Sequence, residues 1–507
     1  MIMGEYFKIA YIGAGAHRFS MGLFRNFVAA AREGLAGKPI YAALVDIDER
    51  VLTYTTNILK HMAKQAGVDM KITQHLDQRE AIENADFLYK SISVGAQAAE
   101  WFDNYIPQKF GIPQNTGDTV GPGGFFRGLR CASPVNVIAK DMVEFCPKAV
   151  MLNYTNPQAT IVKTARRVDK DLQFIGLCHE LFGGMHAVQY FNNIAQLTSP
   201  INDWNKDLDL KYVGVNHFAW LLECTHKDSS EDVLAAMREH WQEGYDKNID
   251  GRKFAFYLLN LYGAFPYPGN RHVAEFMPEY FNYFNHEPPM NRWGIIPLRD
   301  VKDLGLSHRY AIQRFSVLSR DFAVDKLPKP TAEGEHALQM TEDFINGEAS
   351  HHHVCNLPNF DQQICSNLPD GAILEIPGHF ADGKMHGMQV GTLDEEIAKK
   401  VRVHCEVQEM CIDAWEKGDP DLLLKGLLHD PMCAFIEDED RIRAMMNLML
   451  YYQAEWLPTF KESIPSKDNL VNSEYWVDKK DLATYEEAIK VKFPPNPDLV
   501  AKCLPRD

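Results

Sequence analysis

The stretch Phe7-Lys8-Ile9-Ala10-Tyr11-Ile12-Gly13-Ala14-Gly15 decides the fold of this chain. Its β-branched and aromatic residues predict a buried strand, and the two glycines predict a tight turn where that strand ends. Beyond the turn, Leu23, Phe24, Phe27 and Val28 recur at helical spacing, so a helix follows directly. A strand, a glycine turn and a helix in this order form the first unit of an α/β fold.

The glycine turn also indicates a site for a dinucleotide. At Gly13 and Gly15 the backbone can approach a pyrophosphate, whose charge is met by the amides that begin the helix. Arg18 stands where the usual pattern has a third glycine. Asp46, at the end of the second apolar run, is suited to accept the ribose hydroxyls of NAD and disfavours NADP. We assign Gly13, Gly15, Ala16 and Asp46 to cofactor binding; a plain turn with a helix-capping aspartate is the alternative.

Further apolar runs continue the alternation of strands and helices. Strands are predicted at residues 40–45, 87–92, 149–152 and 174–177, so a Rossmann-type, doubly wound parallel sheet occupies about the first 190 residues. Beyond that region one strand is predicted at 210–215, and helical patterns dominate, notably at 230–241 and 393–415. We predict an NAD-binding domain at 1–195, a mostly helical α+β domain for substrate, metal and oligomerisation at 196–460, and a C-terminal extension at 461–507.

The composition limits the classes of function. With 52 Lys and Arg against 69 Asp and Glu, the net charge is −17, which argues against nucleic acid and anionic membranes as partners. At 46% hydrophobic and 24% charged residues, the chain has ample material for buried cores. It contains no apolar run of the roughly 18 residues that span a bilayer. Its ten cysteines form no CxxC pair and follow no secretory leader, so we expect a cytoplasmic enzyme with free thiols.

Three short segments after predicted strands carry unusual polar chemistry. They are Asn-Tyr-Thr-Asn-Pro at 153–157, Cys-His-Glu at 178–180 and Gly-Val-Asn-His-Phe at 214–218. Because the carboxyl ends of strands in an open α/β sheet face the ligand crevice, these segments can meet beside the cofactor. Cys178 and His217 are candidate ligands of an open, catalytic divalent-metal site. Their spacing matches no metal motif, so an ordinary buried cysteine and histidine remain the alternative.

A glycine-rich segment, residues 117–124, is followed by Arg127 and Arg130. Its glycines could bring backbone amides close to a ligand or form tight packing turns. The two arginines are candidates for an anion clamp, although cations on a helix surface are the commoner role of such residues.

Six motifs in register resemble glycoside hydrolase family 4, at residues 9–15, 117–130, 153–157, 178–180, 214–218 and 271–276. Cys-His-Glu-Leu-Phe-Gly at 178–183 and Arg-His-Val-Ala-Glu-Phe at 271–276 are most similar to the α-galacturonidases of that family. The similarity extends from about residue 7 to about residue 460. It implies a two-domain fold like that of lactate and malate dehydrogenases, a homodimer or homotetramer, and dependence on NAD and a divalent metal, usually manganese.

The resemblance implies a redox route to glycoside cleavage, an exception to the two-carboxylate scheme. NAD takes a hydride from C3 of the sugar, a side chain removes the acidified C2 proton, the aglycone leaves by elimination, water adds, and the hydride returns. A metal held by Cys178 and His217 polarises the C3 carbonyl. His179 follows the metal-binding cysteine, and we assign acid assistance to the leaving group to it.

The same motifs supply the predicted substrate contacts. We assign Asn156, Asn216 and Arg271 to substrate binding, and Asn153 to the cofactor. A planar guanidinium suits a uronate carboxylate, so Arg271 is the candidate for that group. An ion pair between Arg271 and Glu275, four residues on, is an equally good interpretation.

The catalytic base is where this chain departs from the related uronidases. They carry Gly-Asp-Arg-His where residues 269–272 here read Gly-Asn-Arg-His, and the Asn270 amide takes no proton at neutral pH. Either Tyr262, His272 or a metal-bound hydroxide replaces it, or the activity is weak or altered; His179, Asn270 and His272 are the catalytic candidates. The prediction is an α-galacturonidase acting on uronic acid glycosides. The alternatives are α-glucuronidase or α-glucosidase activity, a 2-hydroxy-acid-type dehydrogenase, and an inactive dinucleotide sensor.

Overall fold

The computed structural model of the chain describes residues 5–16, 19–33, 35, 37–194, 197–280, 337–346 and 353–471. Arg18, the predicted domain boundary at 195 and 196, and residues 472–507 of the predicted extension lie outside the described residues. Of the helices in these ranges, none is long and apolar enough to cross a membrane. The nine cysteines in these ranges are all free thiols.

Six parallel strands form one side of the sheet in the order β3-β2-β1-β4-β5-β6, the order of a dinucleotide-binding fold. The predicted doubly wound parallel sheet is therefore confirmed. The strands are β1 (Phe7–Ile12), β2 (Ile40–Val45), β3 (Lys71–His75), β4 (Phe87–Lys90), β5 (Val150–Asn153) and β6 (Phe174–Gly176). Strand β3 was not predicted, because its sequence Lys-Ile-Thr-Gln-His is mostly polar and half exposed at the sheet edge.

Seven helices alternate with these strands. They are α1 (Ser20–Glu33), α2 (Glu49–Ala66), α3 (Gln78–Ile82), α4 (Ala96–Lys109), α5 (Gly121–Phe145), α6 (Gln158–Val168) and α7 (Glu180–Ile194). Helix α2 shows why such segments begin and end where they do. The Asp48 side chain accepts hydrogen bonds from the Arg50 and Val51 amides, and Gly67 ends the helix in the left-handed conformation.

The sheet continues into the second half of the chain through antiparallel strands in the order β6-β10-β11-β7-β8-β9, with β12 paired to β11. These strands are β7 (Leu208–Val215), β8 (Phe218–His226), β9 (Phe265–Pro266), β10 (His353–Pro358), β11 (Ile373–Ala381) and β12 (Lys384–Gly387). The strand predicted at 210–215 is confirmed as part of β7. One hydrogen-bonded sheet thus joins the two halves.

Helices make up most of the remaining described residues of the second half, in agreement with the helical patterns of the sequence. They are α8 (Trp204–Asp207), α9 (Val233–Glu239), α10 (Trp241–Lys247), α11 (Lys253–Tyr262), α12 (Asn270–Phe276), α13 (Ala337–Asn346), α14 (Glu395–Lys417), α15 (Pro420–His429), α16 (Glu439–Tyr452) and α17 (Lys467–Val471). Helix α14 packs against α5 and α6 of the first half. Arg167 of α6 binds Glu409, Asp413 and Glu416 of α14 across that interface.

Candidate active site

The carboxyl ends of β1, β2, β4 and β5 open into a cleft of about 1560 Å³. At one end it is lined by the glycine turn after β1, and at the other by residues of the β7–β8 turn and of α12. This is the crevice where an open α/β sheet binds its ligand. The predicted cofactor and catalytic segments therefore border the same space.

The glycine turn has the conformation that the sequence predicts. Gly13 has φ +88°, and a Cβ there would lie 2.3 Å from the Ser91 carbonyl oxygen. The Gly15 N–H donates to Asp46 Oδ2 at 2.8 Å, and the Asp48 N–H donates to Asp46 Oδ1 at 3.0 Å. These bonds fix the Asp46 carboxylate at the cleft wall, where each oxygen keeps a further lone pair for a hydroxyl.

Exposed apolar side chains line the cleft beyond Asp46. Ile47 is 96% exposed, Leu76 is 55% exposed and Val137 is 48% exposed. Large apolar side chains gathered at one wall of a cleft mark a binding surface for an apolar group. A flat aromatic base beside a ribose bound by Asp46 fits this wall, so the residues present fit a dinucleotide.

Asn153, assigned to the cofactor, is fully buried and is not among the residues that line the cleft. Its Oδ1 accepts from Lys90 Nζ at 2.7 Å, and its amide donates to Gln158 Oε1 at 2.6 Å and the Thr155 carbonyl at 2.9 Å. Burial lowers the pKa of Lys90 to about 7. In this arrangement Asn153 organises the turn after β5, and its cofactor contact stays a prediction.

At the other end of the cleft, three side chains gather within metal-binding range. Ligand atoms of Asp118, His217 and His272 lie within 4.8 Å of one another. Asp118 Oδ1 is 3.5 Å from His217 Nδ1 and 3.9 Å from His272 Nδ1, and the two imidazole rings are 3.8 Å apart between centroids. Asp118 and His272 were not predicted as ligands, although both lie inside motifs that the sequence singles out.

His217 occupies the two-residue turn of the β7–β8 hairpin. The turn is closed by the pair Val215 and Phe218, and His217 has φ +67°, a left-handed conformation rare for residues other than glycine. Its Nδ1 contacts Thr119 Oγ1 at 2.9 Å and lies beside Asp118. Such strain is typical of functional positions, and with Nδ1 held by these partners the other ring nitrogen, Nε2, is left for a ligand.

Opposed charges set the protonation of this cluster. Burial acts to raise the pKa of Asp118, but the nearby His217 and His272 hold it well below its usual value. Burial acts to lower the pKa of His217, yet the Asp118 carboxylate raises it. Burial and the adjacent His217 lower the pKa of His272 to about 4. The cluster thus contains an ionised carboxylate and a neutral His272 imidazole at neutral pH.

Cys178 follows β6 and is half-buried. Burial raises the pKa of its thiol well above the usual value, and the carboxylates of Glu375 and Glu180 raise it further. The Asn216 side chain and the Glu180 N–H act against this by hydrogen bonding to the sulfur. A thiolate here needs a cation beside it, which is the condition that a bound divalent metal meets.

His179 and Glu180 both line the cleft. His179 is exposed, and its Nε2 lies 3.8 Å from Glu180 Oε1, as does Nε2 of His272. Glu180 Oε2 accepts from the Gly269 N–H at 2.7 Å; although burial opposes it, the neighbouring histidines lower the pKa of Glu180 to about 2. Glu180 thus places a permanent negative charge between His179 and His272, a role that the sequence left unassigned.

Asn270 and Tyr262, two of the residues considered for base catalysis, are engaged elsewhere. Asn270 is buried, its Oδ1 accepts from the Phe254 N–H at 3.0 Å, and it does not line the cleft. The Tyr262 hydroxyl lies 2.9 Å from that of Tyr280, and burial raises its pKa. His272 is the catalytic candidate of this segment that borders the cleft.

The arginines have separate roles. Arg130 also borders the cleft, but it is 1% exposed and its guanidinium binds Asp103 through two hydrogen bonds of 2.8 and 2.5 Å, so its charge is already paired and the anion clamp stays a prediction. Arg127 lines the cleft, and its Nε donates to the Asn156 carbonyl at 3.1 Å. Asn156 also lines the cleft and donates to Asp118 Oδ2 at 3.1 Å.

Arg271 is exposed at the cleft wall, and its Nη2 donates to the Asn115 carbonyl at 3.1 Å. Glu275 instead accepts from the backbone amides of residues 115–117 and from Gln114, with the two shortest distances at 2.7 Å. The pair Arg271–Glu275 considered from sequence is thus replaced by two separate contacts with the segment before α5.

Two family models match the chain. Residues 8–194 match the model described as Family 4 glycosyl hydrolase, and residues 212–433 match that of the Family 4 glycosyl hydrolase C-terminal domain. Over 474 residues the chain is 28% identical to an α-galactosidase of Rhizobium meliloti, with 90% of each chain covered. Over 471 residues it is 27% identical to an α-galacturonidase of Thermoanaerobacter italicus, covering 89% of this chain and 98% of that protein.

A solved structure shares the fold. The 6-phospho-β-glucosidase of Thermotoga maritima, solved with manganese, NAD⁺ and glucose 6-phosphate, aligns with a TM-score of 0.71 at 21% identity. The alignment covers 89% of this chain and 99% of that chain.

Proposed function

Because the chain belongs to family 4 of the glycosyl hydrolases, and so is an enzyme that hydrolyses glycosides, we propose that it acts on α-galacturonides with NAD and a divalent metal. The observation that carries the proposal is the shared cleft. It runs from the glycine turn and Asp46 to His217 and His272, so a dinucleotide and a metal-bound sugar would be adjacent. The neighbour from Thermotoga maritima, with its NAD⁺ and manganese, supports this pair of cofactors.

Two arginines support an acidic sugar as the substrate. Arg127 and Arg271 line the cleft of a chain whose net charge is −17, so they supply local positive charge for an anionic substrate. A guanidinium fork binds a carboxylate in two places at once. The α-galacturonidase relative at 27% identity is consistent with this choice, and the α-galactosidase relative at 28% makes a neutral galactoside the competing substrate.

Cofactor chemistry assigns roles to the chain's own residues. NAD supplies a hydride acceptor and donor, and a divalent metal supplies a Lewis acid. We propose Gly13, Gly15, Ala16 and Asp46 for NAD. We propose Cys178 and His217 for the metal, and Asp118 lies close enough to His217 to share it.

The cleft-facing histidines divide the proton transfers. His272 is neutral and borders the cleft, so it can take the C2 proton, and the Glu180 carboxylate at 3.8 Å stabilises the cation formed. His179, whose Nε2 lies 3.8 Å from the same carboxylate oxygen, donates to the leaving oxygen. Asn156, held between Arg127 and Asp118, and Arg271 orient the sugar.

The test is a comparison of p-nitrophenyl α-galacturonide, α-glucuronide, α-glucoside and α-galactoside, with the reduced full-length enzyme, NAD and Mn²⁺. We expect kcat/KM for the galacturonide to exceed that for each other substrate by at least about tenfold. This factor corresponds to the free energy of one hydrogen bond to a charged group. Faster hydrolysis of the galactoside would replace the uronide proposal. Hydrolysis of none of the four would overturn it.

Two further measurements separate mechanism from specificity. In deuterated water the released sugar should carry deuterium at C2, and unlabelled product would contradict proton removal by His272 or any other base. Cys178→Ser should remove Mn²⁺ dependence and turnover together, whereas retention of both would contradict the metal role of Cys178. Cys224→Ser, at a buried thiol on β8 away from the cleft, is the matched control.

We propose that the enzyme works in the cytoplasm as a homodimer or homotetramer. A cysteine ligand needs a reducing compartment, and the nine cysteines of the described residues are unpaired. Light scattering of the purified chain tests the oligomeric state, and loss of activity in air that a reductant restores tests the thiol.

A further inference from the structure

Glu375 is a buried carboxylate in the middle of the sheet. It lies on β11, has 0% exposed surface, and interrupts the apolar run Ile373-Leu374-Glu375-Ile376. Burying a carboxylate costs several kcal/mol unless charge or hydrogen bonds compensate. Its position therefore requires a reason that packing does not supply.

Sheet register brings Glu375 to the metal end of the molecule. It pairs with Gly214 of β7 on one side and with Asn356 of β10 on the other. Asn356 in turn pairs with Gly176, two residues before Cys178. The segments that carry Cys178 and His217 thus leave the sheet on the two sides of Glu375.

Neutral groups hold the carboxylate. Oε2 accepts from Asn216 Nδ2 at 2.6 Å and from Asn356 Nδ2 at 3.4 Å, and Oε1 accepts from the Tyr267 hydroxyl at 2.6 Å. In the part of the chain that the structure describes, no Lys, Arg or His forms an ion pair with it. The nearby ionisable groups on which it acts include Cys178 and His217, the two proposed metal ligands.

Asn216 links Glu375 to the proposed ligands. Its side chain donates to Glu375 and acts on the pKa of Cys178, and it precedes His217 in the hairpin turn. Its Oδ1 is buried without a hydrogen-bond partner among the described residues. A buried, unpartnered carbonyl oxygen and, close to Cys178, a buried carboxylate without an ion-pair partner among the described residues together indicate that a cation completes this site.

We propose that Glu375 is a positioning residue for the divalent metal, a role that rests on the proposed function. It fixes the Asn216 side chain against Cys178 and supplies a negative charge that attracts the cation without coordinating it. Outer groups that orient ligands in this way change metal affinity by about 10- to 100-fold when they are replaced.

The test is a titration of the reduced, NAD-free, full-length protein with Mn²⁺ alone, in which electron paramagnetic resonance measures free Mn²⁺. For Glu375→Gln we expect the Kd to rise about 10- to 100-fold, while without metal the variant unfolds at the same or a higher temperature than the wild type. The increase in Tm that Mn²⁺ produces should shrink accordingly. A purely structural role would instead lower Tm without metal and leave the Kd unchanged.

Three variants serve as comparisons. Asp430→Asn replaces another buried carboxylate, which accepts from the Gly121 and Met432 amides, and should leave the Kd unchanged. Glu375→Asp keeps the charge and should restore part of the affinity. Tyr267→Phe removes one hydrogen bond to Glu375 and no charge, so the Kd for Mn²⁺ should rise by less than in Glu375→Gln. If Glu375→Gln does not fold, Tyr267→Phe tests the same role of Glu375.

Co²⁺ gives a spectroscopic signature. A thiolate bound to Co²⁺ absorbs in the near ultraviolet, and this band should appear for the wild type at Co²⁺ concentrations where Glu375→Gln lacks it. An equal Kd and an equal band for the two proteins would overturn the role of Glu375 and leave the proposed function standing. A wild type that binds neither Mn²⁺ nor Co²⁺ would overturn both.

Discussion

Glu275 couples the stability of the fold to pH through the segment before α5. It is 1% exposed, and its Oε1 accepts from the amides of Asn115 and Thr116, both at 2.7 Å, and from Gln114 Nε2 at 3.1 Å. Burial raises its pKa from 4.5 to about 7, although these hydrogen bonds act in the other direction. At about 1.4 kcal/mol for each pH unit, this difference amounts to about 3 kcal/mol of unfolding free energy.

The sign follows from which state binds the proton. Between pH 4.5 and 7 the folded protein keeps a proton that the unfolded chain has released. The contribution of Glu275 is thus fully present below pH 4.5 and is lost as the pH rises through 7. In Glu275→Gln the amide oxygen still accepts the backbone hydrogen bonds, and this titration is absent. The variant should therefore gain about 3 kcal/mol relative to the wild type between pH 4.5 and 8.

Urea unfolding of the metal-free proteins at pH 4.5, 6, 7 and 8, followed by tryptophan fluorescence, measures this gain as a difference in midpoints at a common m-value. Glu279→Gln is the control, because Glu279 lies four residues further on, is exposed and binds Lys400. A free-energy difference between Glu275→Gln and the wild type that stays constant within about 1 kcal/mol over this range would refute the reasoning.

Three more predictions test packing, burial and cofactor choice. Arg130→Met leaves the fully buried Asp103 carboxylate without its cation, so it should destabilise the fold by about 3 to 5 kcal/mol in urea unfolding. The double variant Arg130→Met with Asp103→Leu should recover most of this loss. Equal losses in the single and double variants would contradict the buried ion pair. In Gly184→Ala the new Cβ would lie 2.5 Å from Tyr267 Cβ, so we expect the free energy of unfolding to fall by about 1 to 3 kcal/mol. In the control Gly22→Ala, in α1, nothing lies within 4 Å of the new Cβ, so the free energy of unfolding should rise by about 0.5 to 1 kcal/mol. Asp46→Ser should weaken NAD binding by about tenfold or more and NADP binding much less, as measured by fluorescence titration; an unchanged ratio of the two Kd values would contradict the ribose contact.

Local sequence was sufficient where one continuous segment forms the feature. The first strand, the glycine turn and the helix are neighbours along the chain, so their residues alone predict them. The polar segments after β5, β6 and β7 were predicted for the same reason, because each directly follows an apolar run. Strand β3 could not be predicted in this way, since a half-exposed edge strand carries no apolar run.

The site depends on contacts that sequence spacing does not encode. Asp118 and His217 are 99 residues apart along the chain and His272 is 55 residues further on, and only the packing of the segment before α5, the β7–β8 turn and α12 brings their ligand atoms within 4.8 Å of one another. The same packing directs Asn270 into a backbone contact with Phe254 and leaves His272 at the cleft. The sequence contained one signal for Glu375, a single carboxylate inside an apolar run. It did not indicate the hydrogen-bond partners Asn216, Asn356 and Tyr267, which come from other segments.

By itself, the sequence determined the Rossmann-type half, the mostly helical second half, and the family to which the motifs belong. These properties rest on backbone propensity, apolar periodicity and short motifs, all of which act between near neighbours. The tertiary structure decided which charged groups remain available at the cleft and which form buried ion pairs. Arg127 and Arg130 lie on one face of α5 and both border the cleft, but Arg130 is 1% exposed and forms its ion pair with Asp103 of α4, whereas Arg127 donates to the Asn156 carbonyl; sequence spacing does not encode which partner each arginine meets.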